Sequence, residues 1–149
     1  MSAAPQSESS AWSNDAAPLI AIVDDDASMR DATSNLLQSV GLRTQGFASA
    51  EEFCGSGRAG DSACLILDLR LPGMSGLELQ QRLAVAHPRI PIIFVSAHGD
   101  EVAQARALRM GALAFLYKPF SQEALLNHVR QALEVQSPRS LGASARFML

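Results

Sequence analysis

Four stretches of the chain, Leu19 to Val23, Cys64 to Leu67, Ile90 to Ser96 and Ala114 to Tyr117, are short and almost continuously apolar. Strands without a polar face belong inside a parallel sheet covered on both sides. A fifth candidate, Leu42 to Phe47, carries Arg43, Thr44 and Gln45 and is expected at the edge of that sheet.

The segments between them follow the helical period. Met29, Thr33, Leu36, Leu37 and Val40 recur at three and four after the possible caps Asp26 and Ser28, and Gly41 supplies a stop. Leu79 with Leu83, and Leu125, Val129 and Leu133 after Ser121, repeat the pattern. Two shorter helices are expected from Ala50 to Cys54 and from Asp100 to Met110, the latter rich in alanine. Five strands alternating with five helices require right-handed crossovers, which predicts an α/β, doubly wound, flavodoxin-like sheet in the order 2-1-3-4-5. Ligands of such sheets gather at the carboxyl ends of the strands.

Composition narrows the classes. With 149 residues, 48% of them hydrophobic, the chain has enough length for one domain with a sizeable core. A net charge of −3 without a basic stretch argues against direct nucleic-acid binding. No apolar run reaches the length of a membrane span and no signal peptide opens the chain, so a cytoplasmic location is expected. Cys54 and Cys64 are then expected as two reduced thiols. Residues 1–17 read as a flexible leader with the lone Trp12, 18–135 as the folded domain, and 136–149 as a tail or truncated linker.

The residues that close the apolar runs converge on one edge of the sheet: Asp24, Asp25 and Asp26 after the first, Asp68 at the third, Ser96 at the fourth and Lys118 at the fifth. Clustered carboxylates are tolerated where a cation sits among them, and hard oxygen donors favour Mg²⁺ or Mn²⁺. Such an ion shares its site with a phosphoryl group, whose oxygens also take an ammonium and a hydroxyl; Lys118 and Ser96 fit those roles. Asp68, ending the central strand, is best placed as a nucleophile that would become an acyl phosphate. Lys118 is the single lysine beside eleven arginines, and a compact ammonium suits a narrow crevice where a planar guanidinium does not.

The blocks IAIVDDDASMR, CLILDLRLPGMSGLEL, IPIIFVSAHGD and GALAFLYKPF resemble the four signature blocks of the receiver domain of two-component response regulators, over about residues 18–135. The resemblance implies that Asp68 accepts a phosphoryl group from a sensor histidine kinase or phosphotransfer protein. It implies that Asp25 and Asp68 bind Mg²⁺ directly, that Asp24 does so through water, and that Arg70 lends its backbone carbonyl. Ser96 would be the switch hydroxyl, Lys118 the phosphoryl contact and Phe115 the switch aromatic, with a cis bond before Pro119. Phe115 lacks the hydroxyl of the Tyr found in many relatives, and Tyr117 does not replace it there. Switching would reshape the surface of the fourth helix, fifth strand and fifth helix, with a phosphorylation-dependent homodimer as one outcome. Enzymatic activity would be confined to self-phosphorylation from small donors and self-dephosphorylation.

Competing readings are weaker. Asp24 to Asp26 alone would read as a solvated helix cap. Gly73 and Gly76 read as turn residues rather than a phosphate loop, because no GK[ST] follows. His87 and His128 read as surface residues, and His98 has no evident partner. A haloacid-dehalogenase-type phosphohydrolase needs a second Asp two residues after its nucleophile, where this chain has Arg70. A docking-only receiver would lack the acceptor or the lysine. The blocks look most like those of helix-turn-helix transcriptional regulators, yet the fourteen residues after Val135 are too few for such a domain. A stand-alone protein with a downstream protein target is slightly favoured over a fragment of a longer regulator.

Overall fold

The computed structural model describes residues 17–97 and 101–136. The leader before Ala17, the tail after Gln136 and His98 fall outside them. The strands are β1 (Leu19–Val23), β2 (Arg43–Phe47), β3 (Ser62–Asp68), β4 (Ile92–Ser96) and β5 (Ala114–Tyr117). They form one parallel sheet in the order β2-β1-β3-β4-β5, with the polar β2 at an edge as expected. The helices are α1 (Ala27–Ser39), α2 (Ala50–Ser56), α3 (Gly76–Ala86), α4 (Glu101–Arg109) and α5 (Gln122–Gln136), with a 3-10 turn at Ala59–Asp61.

Alternate residues of each apolar strand serve opposite cores, which is why the runs are continuous. Ala21, Val23, Leu65, Leu67, Ile92 and Phe94 pack with Phe53 of α2, Leu79 and Leu83 of α3 and Ala107 of α4. Ile20, Ile22, Cys64, Ile66, Ile93 and Val95 pack with Leu37 of α1 and Leu125, Val129 and Ala132 of α5. No helix among the described residues is long and apolar enough to cross a membrane.

Several boundaries differ from the sequence reading, each for a local reason. β4 starts at Ile92 rather than Ile90, because Pro91 has no N–H to give; its carbonyl still accepts from Leu65 N at 3.0 Å. β3 starts earlier, at Ser62, where a register irregularity beside Leu19 and Ile20 admits the extra length. Leu42 lies outside β2, its N–H donating to Leu37 O at 3.2 Å as α1 unwinds. Val40 is the C-cap of α1 and is 42% exposed, not part of the buried face. Ser49 caps α2, which runs two residues past Cys54. His87 and His128 lie at the surface, half-buried. Both cysteines are free thiols, Cys54 exposed and Cys64 buried.

Gly76 is not a turn residue. It is the first residue of α3, behind a capping box of Ser75 and Glu78, and it is buried. A Cβ there would come within 2.5 Å of Asp68 O and 3.1 Å of Leu69 Cα, so the missing side chain lets the helix sit directly on the exit of β3.

Candidate functional site

The carboxyl ends of β1, β3, β4 and β5 bring the chemistry-bearing residues together. Asp68 is the last residue of β3 and Ser96 the last of β4, while Asp24 and Lys118 directly follow β1 and β5. Backbone bonds continue past the strands and hold these exits in register: Asp24 N donates to Phe47 O at 3.0 Å, Leu69 N to Val95 O at 2.9 Å and Lys118 N to Ser96 O at 2.7 Å. Asp24, Asp68 and Ser96 are buried and Asp25 is exposed.

Carboxylate oxygens of Asp24, Asp25 and Asp68 lie within 4.8 Å of one another. Lys118 Nζ bridges two of these residues, 2.9 Å from Asp24 Oδ2 and 3.2 Å from Asp68 Oδ2. The remaining oxygens are oriented by the backbone, since Asp26 N donates to Asp24 Oδ1 at 2.9 Å and Arg70 N to Asp68 Oδ1 at 3.1 Å. Asp26, one of the two possible caps read from the sequence, turns its side chain to the N–H groups of Ser28 and Met29 and caps α1. The Lys118–Pro119 peptide bond is cis.

Burial pushes the Asp68 carboxyl above its ordinary range, with the charge of Asp24 adding to the effect; the Arg70 N–H and the Lys118 ammonium oppose it. Burial also works against the Lys118 ammonium, but its hydrogen bond to Asp24 and the charges of both carboxylates outweigh that, leaving it more basic than a free lysine. Three carboxylates facing one ammonium form an acid-rich site built from hard oxygen donors, which fits a small divalent cation.

Phe115, half-buried on β5, stacks on Phe94 with centroids 6.0 Å apart and meets Tyr117 edge-on at 5.3 Å. Tyr117 OH donates to Gln104 Oε1 on α4, and Tyr117 is the register partner of Ser96. Two residues near the site were not read from sequence. Glu51 of α2 accepts from Met74 N at 2.7 Å across 23 residues, and that N–H holds its carboxyl below the usual carboxylate range. The bond ties down the loop after Asp68, whose Gly73 has φ +76°. Arg30 of α1 donates through Nη1 to Asp24 O at 2.7 Å. The Leu-Pro-Gly turn and the strand glycine Gly46 were the only sequence signals of these two contacts.

Comparison with known proteins defines the class of this domain. A family model described as the response regulator receiver domain matches residues 20–130. Response regulator protein TmoT of Ectopseudomonas mendocina is 45% identical over 122 residues, covering 82% of this chain and 56% of that protein. Transcriptional regulatory protein FixJ of Bradyrhizobium diazoefficiens is 34% identical over 119 residues, covering 80% and 58%. The solved structure of response regulator StyR superposes with a TM-score of 0.77 at 41% identity, covering 89% of this chain and 67% of that one. The chain belongs to the response regulator receiver domain family, and its domain is the receiver of a two-component phosphorelay. It spans about half the length of the curated relatives it matches.

Proposed function

We propose that Asp68 is the phosphoacceptor of this receiver. A carboxylate oxygen of Asp68 attacks the phosphorus of a phosphohistidine on a sensor histidine kinase or phosphotransfer protein. The O–P bond forms as the P–N bond breaks, leaving an aspartyl phosphate here and a histidine that takes a proton on the departing nitrogen. The observation that carries this reading is the Lys118 ammonium seated between Asp24 and Asp68, where it would move from carboxylate to phosphoryl oxygen as the charge shifts.

Asp25 and Asp68 would hold Mg²⁺ or Mn²⁺ directly, with Asp24 acting through water and Arg70 through its backbone carbonyl. The ion, when bound, supplies positive charge to the phosphoryl oxygens. Ser96 would donate its hydroxyl to the phosphoryl group, and Phe115 would follow it inward. That motion would alter the α4-β5-α5 face, where Val102, Leu108 and Tyr117 are exposed and a second copy would dock. Hydrolysis of its own acyl phosphate is the only further chemistry this reading requires. A cytoplasmic setting is part of it, as are residues 1–17 as leader, 18–135 as the receiver and 136–149 as tail or linker.

A second reading, that this receiver governs the effector part of a longer transcriptional regulator, is favoured by the half-length match to relatives such as FixJ. An aspartyl-nucleophile phosphohydrolase is disfavoured by Arg70 at the position of its second acid.

Intact-mass spectrometry after incubation with acetyl phosphate and Mg²⁺ tests the proposal. One phosphoryl group per chain is expected, and none after chelation of the metal. Unchanged mass with Mg²⁺ present would refute it.

A further inference from the structure

Two residues beside the acidic cluster go against the preferences of the elements that hold them. Arg30 places a cation in the first turn of α1, where the helix dipole favours anions, and that turn holds no acidic residue. Gly46 occupies the exposed fourth position of β2, where a side chain would stiffen the strand. One arrangement accounts for both. The Arg30 stem lies across Gly46, so that a Cβ there would stand 3.3 Å from Arg30 Cδ and 3.6 Å from its Nε. The guanidinium then reaches Asp24 O at 2.7 Å. β2 is cleared for the arginine, and the arginine grips the peptide that joins Asp24 to Asp25.

We infer that Arg30 is a positioning residue for the acidic cluster, holding the Asp24–Asp25 peptide so that both carboxylates face Asp68. The inference rests on the function proposed above, because its consequence is read at the divalent cation. Asp24 is fixed from three sides: Asp26 N and Lys118 hold its carboxylate, and Arg30 holds its carbonyl. Asp25 is exposed, so the peptide before it is what Arg30 controls.

A positioning role and simple charge have opposite signs. A cation beside three carboxylates repels Mg²⁺, so neutralising Arg30 would tighten Mg²⁺ binding if charge alone mattered. If the guanidinium positions the peptide, neutralising it loosens the site and weakens binding.

The experiment is calorimetric titration of the full chain with MgCl₂, alongside thermal melts. Arg30→Gln is expected to weaken Mg²⁺ about threefold to tenfold, and Arg30→Lys to recover part of the loss. Gly46→Val keeps the charge but displaces the stem; it is expected to weaken Mg²⁺ by about threefold while the strand melts no earlier. Tighter Mg²⁺ binding by Arg30→Gln, or wild-type affinity in both Arg30→Gln and Gly46→Val, overturns the inference and leaves Asp68 as acceptor untouched. Failure of the unmodified chain to bind Mg²⁺ overturns the proposed function and this inference with it.

Discussion

Lys118 and Asp68, separated by 50 residues in the chain, meet at 3.2 Å across the mouth of the sheet. The ammonium is shared with Asp24 at 2.9 Å, so one cation serves two buried carboxylates while Asp25 adds a third acid. That imbalance of charge sets most of what the domain is expected to do.

Lys118→Arg keeps the charge but replaces a compact donor by a planar fork in a site where Nζ already lies within 3.2 Å of both acids. The rate of labelling by acetyl phosphate should fall by about tenfold or more, with the fold retained by circular dichroism. Labelling at the wild-type rate would show that the ammonium is not specifically required.

Asp68→Asn should stabilise the protein in the absence of divalent ions. Burial raises the Asp68 pKa in the folded state, so folding is opposed once the pH passes the ordinary carboxylate range, and fully so above the raised value. Asn mimics the protonated acid, so its advantage grows as the pH rises through the raised Asp68 pKa and is absent once the pH falls below the ordinary carboxylate range. A rise in melting temperature of about 3 °C at pH 7.5 is expected. Adding Mg²⁺ should raise the melting temperature of the wild type and reverse the order. A variant that melts lower at neutral pH without metal would contradict the assigned direction.

Gly76→Ala inserts a methyl 2.5 Å from the carbonyl oxygen of Asp68. Backbone lies on the other side of that contact, so α3 or the end of β3 must shift. A loss of about 2 kcal/mol is expected, read by urea denaturation, together with slower phosphorylation because the acceptor's own peptide moves. Gly55→Ala, with nothing within 4 Å of its Cβ, is the matched control and should cost little.

The two thiols should separate cleanly. Burial pushes Cys64 up to about 12, while Cys54 is exposed on α2. At pH 8 a thiol reagent should modify one cysteine quickly and the second only on unfolding. Two fast-reacting thiols would place Cys64 outside the core.

Much of this was legible in the sequence because the responsible patterns are local. Ile20 and Ile22 face one core and Ala21 and Val23 the other, so an unbroken apolar run announces a strand covered twice. Asp68, Ser96 and Lys118 could be brought together from topology alone, since parallel strands must end on the same edge. What stayed hidden depends on contacts between distant elements. Glu51 reaches Met74, Arg30 crosses Gly46, and Gly76 yields space to Asp68; no periodicity encodes such pairs. Pro91 before β4 and Val40 after α1 differ for the opposite reason, because apolar character extends beyond the residues that the backbone can keep in the element.

The most direct measurement is the position of the acyl phosphate. Protein treated with acetyl phosphate and Mg²⁺, reduced with borohydride and digested, should yield homoserine at residue 68 by peptide mass spectrometry, and the Asp68→Asn variant should yield none. Homoserine at another aspartate, or undiminished labelling of that variant, would contradict the account.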